Sequence, residues 1–280
     1  LQHDRQLKLM AANIEKKVKG ELERLLKEDR EGYEKFFKNF GRQLKIGCLN
    51  NYGAKRDLLQ GLLLFYSSTE KKMVTLQEYV DRMPESQKYI YYAAGENVAM
   101  MDNLPQTELL RERNMEILYL TDQPDELLME ILREYKGKEL RSAIDGDLGL
   151  DDLPETKEKD EESKDAFAFI KEALDGEVDE VRASRKLKTH PVCLTSGEGV
   201  SFEMERYFSV AQPEMGIKAK RILEINVDHP AFAALEAART ADPEKAKKYA
   251  RVLLNQAKLI AGLPIDDPSG YTDLLCSLWN

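Results

Sequence analysis

The chain has 280 residues, 42% of them apolar and 33% charged, with a formal charge of −9. That length exceeds what one hydrophobic core ordinarily serves, so two domains are expected. The negative balance excludes a general nucleic-acid or anionic-membrane binder, and no apolar run approaches the ~20 residues of a membrane helix.

Residues 5–28 place Leu7, Met10, Ile14, Val18, Leu22, Leu25 and Leu26 at steps of three or four, which stripes one face of a long helix. A second helix holds Tyr33, Phe36, Phe37 and Phe40. Residues 62–68 read as a buried strand ending in turn residues. Thr75 to Met83 is helical and stops at Pro84. An aromatic, β-branched strand covers 88–94. A helical stretch over 97–113 is interrupted at Pro105, and 116–121 is another strand. A helix from Asp122 to Tyr135 carries Asp125 and Glu126 in its first turn, and a short strand near 139–144 closes the unit. This alternation predicts a small parallel sheet covered by helices.

Residues 151–165 carry eight acids against three lysines, a net of −5, and one apolar side chain. Such a segment cannot bury a core of its own, so it marks a domain boundary or a solvated helix start. Beyond it, 167–174 is helical, 180–187 and 192–195 are strands, and 200–211 is an amphipathic helix. Residues 220–227 form a strand, and 230–239, 243–261 and 270–279 form helices. Pro243 behind Asp242 is a proline at the first helical position with an acidic cap.

Cys48, Cys193 and Cys276 lie far apart with no CxxC pair, against a disulfide scaffold or a zinc ribbon. They are expected to be small buried side chains in a reducing cytoplasm. His3, His190 and His229 have no partner at helical spacing, so neither a metal site nor a catalytic base is assigned to them. GxxxxGK[ST], GxGxxG and GxSxG motifs are absent. No covalent or hydrolytic chemistry can be nominated. The opening, Leu1-Gln2-His3-Asp4-Arg5, is polar, has no initiator methionine and reads as a segment of a longer protein.

Several stretches are similar to the 90-kDa heat-shock chaperones, nearest to their bacterial form. Tyr79-Val80-Asp81-Arg82-Met83-Pro84-Glu85-Ser86-Gln87-Lys88-Tyr89-Ile90-Tyr91-Tyr92, followed by Gly95-Glu96, resembles a highly specific segment of that family. So do Glu116-Ile117-Leu118-Tyr119-Leu120-Thr121-Asp122 with Asp125-Glu126, Leu1-Gln2 with Leu7-Lys8 and Asn13-Ile14, and Met204-Glu205-Arg206 with Ala211-Gln212. The resemblance spans essentially the whole chain. It implies the distal part of the family's middle domain over 1–150, an acidic linker over 151–165 and a C-terminal dimerisation domain over 166–280. The fold class is then α/β and α+β: long helices before a small αβα unit, followed by a mixed α+β domain ending in helices.

The resemblance also implies an ATP-driven folding machine, with ATP and Mg²⁺ held by an N-terminal domain that this sequence does not contain. The family's catalytic-loop arginine lies just upstream of Leu1, and Gln2 matches the neighbouring loop glutamine. No catalytic residue, metal, cofactor or ATPase activity is therefore expected of these 280 residues themselves. Partners implied are non-native client proteins, a second copy of the chain and the bacterial 70-kDa heat-shock chaperone, in the cytoplasm, with neither nucleic acid nor membrane.

Read from the residues, Val200, Met204, Tyr207, Phe208 and Ala211 fall on one helical face, with Phe202 off it. Packing into their own domain is one reading. The family resemblance implies the other, a projecting helix that meets clients through Val200, Phe202, Met204, Tyr207 and Phe208, since methionine and aromatic side chains adapt to many shapes. A second client surface is implied at Glu126, Leu127 and Glu130, although bacterial relatives often carry tryptophan where Leu127 stands. Near the end, Val252, Leu253, Gln256, Leu259 and Ile260, then Leu274, Leu275, Leu278 and Trp279, are expected to form a two-fold four-helix interface. The close at Trp279-Asn280, without the acidic tail of eukaryotic relatives, predicts no tail-reading co-chaperone. The alternatives are an independent enzyme on the αβα unit, which requires converging polar groups, and a structural scaffold.

Overall fold

The structure is a computed structural model that describes residues 5–144, 146–150, 157–197 and 199–279. Gln2, His3 and the first part of the acidic run, 151–156, lie outside the described residues. The chain forms two compact units. The first takes the chain through Ala94 and again over Glu116–Arg141. The second takes Gly95–Met115 and Ser142–Asn280. The boundary expected at 150 therefore differs from this partition, because the 95–115 excursion packs with residues that follow much later.

In the first unit, α1 (Arg5–Glu28) carries the ion pairs Lys19–Glu23, Arg24–Glu21 and Arg24–Glu28 at helical spacing. Its apolar stripe divides. Leu22, Leu25 and Leu26 pack against the core, whereas Leu7, Met10, Ile14 and Val18 are exposed. Helix α2 (Arg30–Gly53) is capped by the Asp29 carboxylate, which accepts the Gly32 amide at 2.9 Å. It ends with Asn51, Tyr52 and Gly53 all at positive φ. Gly53 is needed there: a Cβ would come 2.6 Å from the Ile131 side chain, at φ +82°.

Helix α3 (Arg56–Leu59) runs into a 3-10 turn, Gln60–Leu62, so β1 is only Phe65–Ser67 and not the longer strand expected. It pairs with β2 (Met73–Val74). Helix α4 (Leu76–Arg82) starts in a capping box between Thr75 and Glu78. Then come β3 (Tyr89–Ala94), β4 (Ile117–Leu120), α7 (Asp125–Leu132), β5 (Glu134–Tyr135) and β6 (Lys138–Ser142), with α5 (Val98–Asp102) and α6 (Glu108–Glu112) in the excursion. The sheet order is β2-β1-β4-β3-β6-β5. Among the pairings described only β3–β4 is parallel; β1–β2, β1–β4 and β5–β6 are antiparallel. The parallel sheet expected from strand–helix alternation is thus a mixed one. Helix α7 stops at Leu132, since Arg133 takes φ 58°, and Tyr135 joins a strand.

The specific segment over 79–92 builds a knot beneath this sheet. The fully buried Tyr79 donates its hydroxyl to the Glu116 carbonyl at 2.7 Å and accepts the Tyr91 amide at 3.1 Å and Gln87 Nε2 at 2.9 Å. Lys138 donates to the Gln87 carbonyl at 2.6 Å, and Arg82 pairs with Glu116 at 2.6 Å. Tyr79→Phe strands a buried amide and a buried carbonyl, so a loss of about 2 kcal/mol is expected in urea unfolding. An unchanged midpoint would contradict this account of the segment.

In the second unit, α8 (Lys157–Glu162) and α9 (Lys164–Ala173) precede β7 (Glu180–Ala183) and β8 (Val192–Thr195). Helix α10 (Phe202–Ala211), β9 (Ile222–Ile225), α11 (Pro230–Ala241), α12 (Pro243–Ile260) and α13 (Pro268–Cys276) follow. The sheet order is β7-β9-β8, with β7–β9 parallel and β8–β9 antiparallel. The acidic run is not wholly loose: Asp160 accepts the Ala183 amide at 2.8 Å and Lys159 pairs with Asp228 at 2.6 Å. One sheet face carries Val192, Leu194, Leu223 and Ile225 into a core with Phe167, Ile170, Phe232 and Leu254. The other carries the buried Glu224, held by Arg182 at 2.7 Å and Ser184 at 3.0 Å. Burial works against ionising Glu224, but Lys186 and Arg182 outweigh it and keep the carboxyl below its usual value. Cys48 and Cys193 are buried as expected, and burial pushes the Cys48 thiol up to about 11. Cys276 is exposed instead, because α13 turns that side to water.

The excursion is fastened to this unit by Gln106, whose Nε2 donates to the Leu194 carbonyl at 2.8 Å, and by Glu108. The Glu108 carboxylate accepts the Lys188 and Thr189 amides at 2.6 and 3.0 Å and the Thr189 hydroxyl at 2.5 Å, and it bonds His190 Nδ1. Burial opposes its charge, yet these donors hold its pKa down to about 2. A depressed folded-state value gives stability present above the ordinary 4.5 and lost as pH falls toward about 2. Glu108→Gln is expected to be less stable than the parent at neutral pH, with the difference narrowing over that window in thermal unfolding. A pH-independent difference would contradict this.

Candidate protein-binding surfaces

Helix α10 is built half inside and half outside its unit. Ser201 caps it, accepting the Met204 amide at 3.0 Å. Phe202 enters the core at 9% exposure, with Val200 packed partly against the same core. This corrects the expectation of Phe202 as a client-facing residue: at the first helical position it is a member of the buried core, with the Arg221 guanidinium 5.8 Å from its ring. The middle of the helix is pinned by Glu205, which pairs with Arg221 at 2.8 Å and accepts the Ala219 amide at 2.8 Å. Burial resists the Glu205 charge, but the Arg221 and Ala219 donors keep its carboxyl below the usual range. Arg206 donates to the Gly262 carbonyl at 3.2 Å.

Beyond that anchor the helix leaves its support. Met204, Tyr207 and Phe208 are half-buried, the two rings meeting edge to face at 5.3 Å. Residues 209–216 are all exposed, with Val210 at 79% and Met215 at 56%. Covering each would contribute about 1.5–3 kcal/mol. Helical periodicity could not have singled out Met215, which lies in a 3-10 turn (Pro213–Met215) past the helix end. The glycine and proline flanks were the available signal.

On α7, Leu127 is half-buried and Glu130 exposed. Glu126 is buried at 8%, which corrects its expected place on that surface, and Leu128, Met129 and Leu132 belong to the core.

The terminal helices also divide. Val252 and Leu253 are buried within the unit, Leu253 in the main core, so they are corrected from interface to core. Gln256, Ile260, Leu274, Leu275 and Leu278 are half-buried, and Leu259 and Trp279 are exposed, Trp279 at 85%. Helix α12 is locked by Lys258, 2.5 Å from Glu177. Among the described residues, no group of three or more His, Cys, Asp or Glu is arranged to hold a metal ion. His229 instead caps α11, accepting the Ala231 amide at 3.0 Å. No described helix is long and apolar enough to cross a membrane.

A family model described as Hsp90 protein matches residues 1–280. The chain belongs to the Hsp90 family. It is 52% identical over 279 residues to the chaperone protein HtpG of Clostridium acetobutylicum, covering 99% of this chain and 45% of that relative. It is 49% identical over 281 residues to the chaperone protein HtpG of Bacillus subtilis and 49% over 280 residues to that of Halalkalibacterium halodurans, with the same two coverages. The chain therefore spans a little under half the length of these Hsp90-family relatives. Its fold is mixed α+β, and the stretches that carried the resemblance fall on the Tyr79 knot, on β4 with the start of α7, and on α10.

Glu205→Ala removes the carboxylate that ties α10 to Arg221 and the Ala219 amide. Limited proteolysis is expected to cut within 202–216 sooner than in the parent, with the thermal midpoint little changed. Equal cleavage rates would show that α10 is held by other contacts.

Proposed function

We propose that this chain is the polypeptide-binding and self-associating part of a chaperone. The half-exposed end of α10, with Met204, Tyr207, Phe208, Val210 and Met215, takes non-native polypeptide, supported along its root by Val200. Leu127 and Glu130 on α7 form a second contact. Leu259, Ile260, Leu274, Leu275, Leu278 and Trp279, with Gln256, join a second copy. The observation that carries this reading is the exposure of Val210 and Met215 in the stretch that follows the half-buried rings of Tyr207 and Phe208: methionine and aromatic side chains at the end of a partly anchored helix suit many partners.

In the proposed arrangement, 1–150 and 166–280 act as middle and C-terminal domains joined by 151–165. ATP and Mg²⁺ belong to a part of the longer protein outside this chain, where Gln2 borders the phosphate-sensing loop. Work in the cytoplasm and hand-over from the bacterial 70-kDa heat-shock chaperone complete the proposal. What supports these last points is membership of the Hsp90 family and similarity to the chaperone proteins HtpG.

The test is light scattering of a heat-unfolded enzyme in the presence of the 280-residue chain. The double variant Met204→Gln, Phe208→Gln is expected to lose most of its suppression of aggregation, with far-ultraviolet circular dichroism and melting unchanged. Full suppression by a folded double variant would remove α10 as a client surface.

A further inference from the structure

Lys45 of α2 is 3% exposed, with its ammonium set between the rings of Phe37 and Phe65 at 5.8 and 5.3 Å. It lies 2.7 Å from the carboxylate of Asp125, itself 1% exposed, and 2.7 Å from that of Asp122. Asp125 also accepts the Asp122 amide at 3.2 Å, and the Asp125 amide donates back to the Asp122 carbonyl at 2.9 Å. Helix α7 begins here. The residue before it is Pro124, which gives no side-chain cap, so the Asp122–Asp125 turn and Lys45 contribute to fixing its first turn.

Stability alone does not account for this arrangement. Desolvating two charges offsets most of their attraction, and an apolar pair of similar volume often folds as well or better. Burial pushes the Asp125 carboxyl above its ordinary value, with Lys45 countering only part of the effect. A raised value means that the folded chain holds the proton more tightly than the unfolded chain. Keeping Asp125 ionised therefore costs folding stability, increasingly as pH rises through that value. Directional charge contacts supply something apolar packing does not, a defined orientation of the elements they join.

We propose that Lys45 is a positioning residue for the α7 contact surface: by clamping Asp122 and Asp125 together it sets the first turn of α7, and with it the direction in which Leu127 and Glu130 meet a bound polypeptide. The inference rests on the assignment of α7 as a polypeptide contact. It adds to that surface a buried cation from a different helix, 77 and 80 residues away in sequence from its two acidic partners.

The experiment measures binding of a fluorescently labelled, reduced and carboxymethylated α-lactalbumin by anisotropy, alongside thermal melting of each variant. Lys45→Met alone leaves Asp125 buried without its partner and is expected to melt well below the parent. Lys45→Met with Asp125→Leu restores the melting midpoint, yet binds the probe about fivefold more weakly, near a 1 kcal/mol change in binding free energy. Asp122→Asn, at an exposed carboxylate, keeps the melting midpoint and weakens binding about twofold or more. A role confined to stability predicts parental binding in both the double variant and Asp122→Asn, and that result overturns the proposal. Leu127→Gln separates the two claims. If it leaves binding unchanged, α7 is not a contact and the positioning role falls with it. If it weakens binding while the clamp variants bind normally, the contact stands and only the clamp is wrong.

Discussion

Phe202 and Val210 stand eight residues apart on one helix, the first in the core and the second in water. The difference between those two environments, about 1.5–3 kcal/mol for each apolar side chain, governs how the C-terminal unit is organised. Its core already takes Phe167, Ile170, Leu223, Phe232 and Leu254. Val210, Met215, Leu259 and Trp279 stay outside it, exposed. The ion pairs Glu205–Arg221 and Glu177–Lys258 tie the middle of α10 and the last turn of α12 to the rest of the unit. Apolar exposure on this scale is characteristic of surfaces that another polypeptide covers.

Anchored charge and exposed apolar surface recur in the N-terminal unit. Lys45, Asp122 and Asp125 fix the start of α7, while Leu127 stays half-buried beside them. Tyr79 and Gln87 do the equivalent for the sheet, tying α4 to β3 and to the approach of β4. The segment that carries the family resemblance most specifically is thus a structural knot. Its residues are constrained by three mutually dependent hydrogen bonds in a buried place, where loss of one orphans another.

Much of this was legible in the sequence. Long amphipathic helices, the aromatic strand over 88–94, the break at Pro105 and the Asp242-Pro243 start of α12 follow from periodicity and local capping, which depend on near neighbours. What escaped were features set by distant residues. Strands β2 and β5 are two residues long and exist only because a hairpin partner is there. Arg133 ends α7 by adopting positive φ, which no residue type at that place announces. A helical stripe says that one face is apolar without saying how far along the helix the support extends. For that reason periodicity alone does not separate the buried Phe202, Val252 and Leu253 from the exposed Val210 and Met215. The excursion over 95–115 belongs to a unit made mostly of much later residues, and Glu108 bonds residues 188–190.

The central claim is that the apolar end of this chain is completed by a second copy. Trp279 at 85% exposure, with Leu259 outward and Leu274, Leu275 and Leu278 only half-buried, leaves roughly 3–5 kcal/mol unrealised at the tryptophan alone. Sedimentation velocity of the purified chain across micromolar concentrations tests this directly. A two-fold assembly that dissociates on changing Trp279 to serine is the expected result. A monomer at every concentration, with Trp279 fluorescence reporting full exposure to water, would contradict the account.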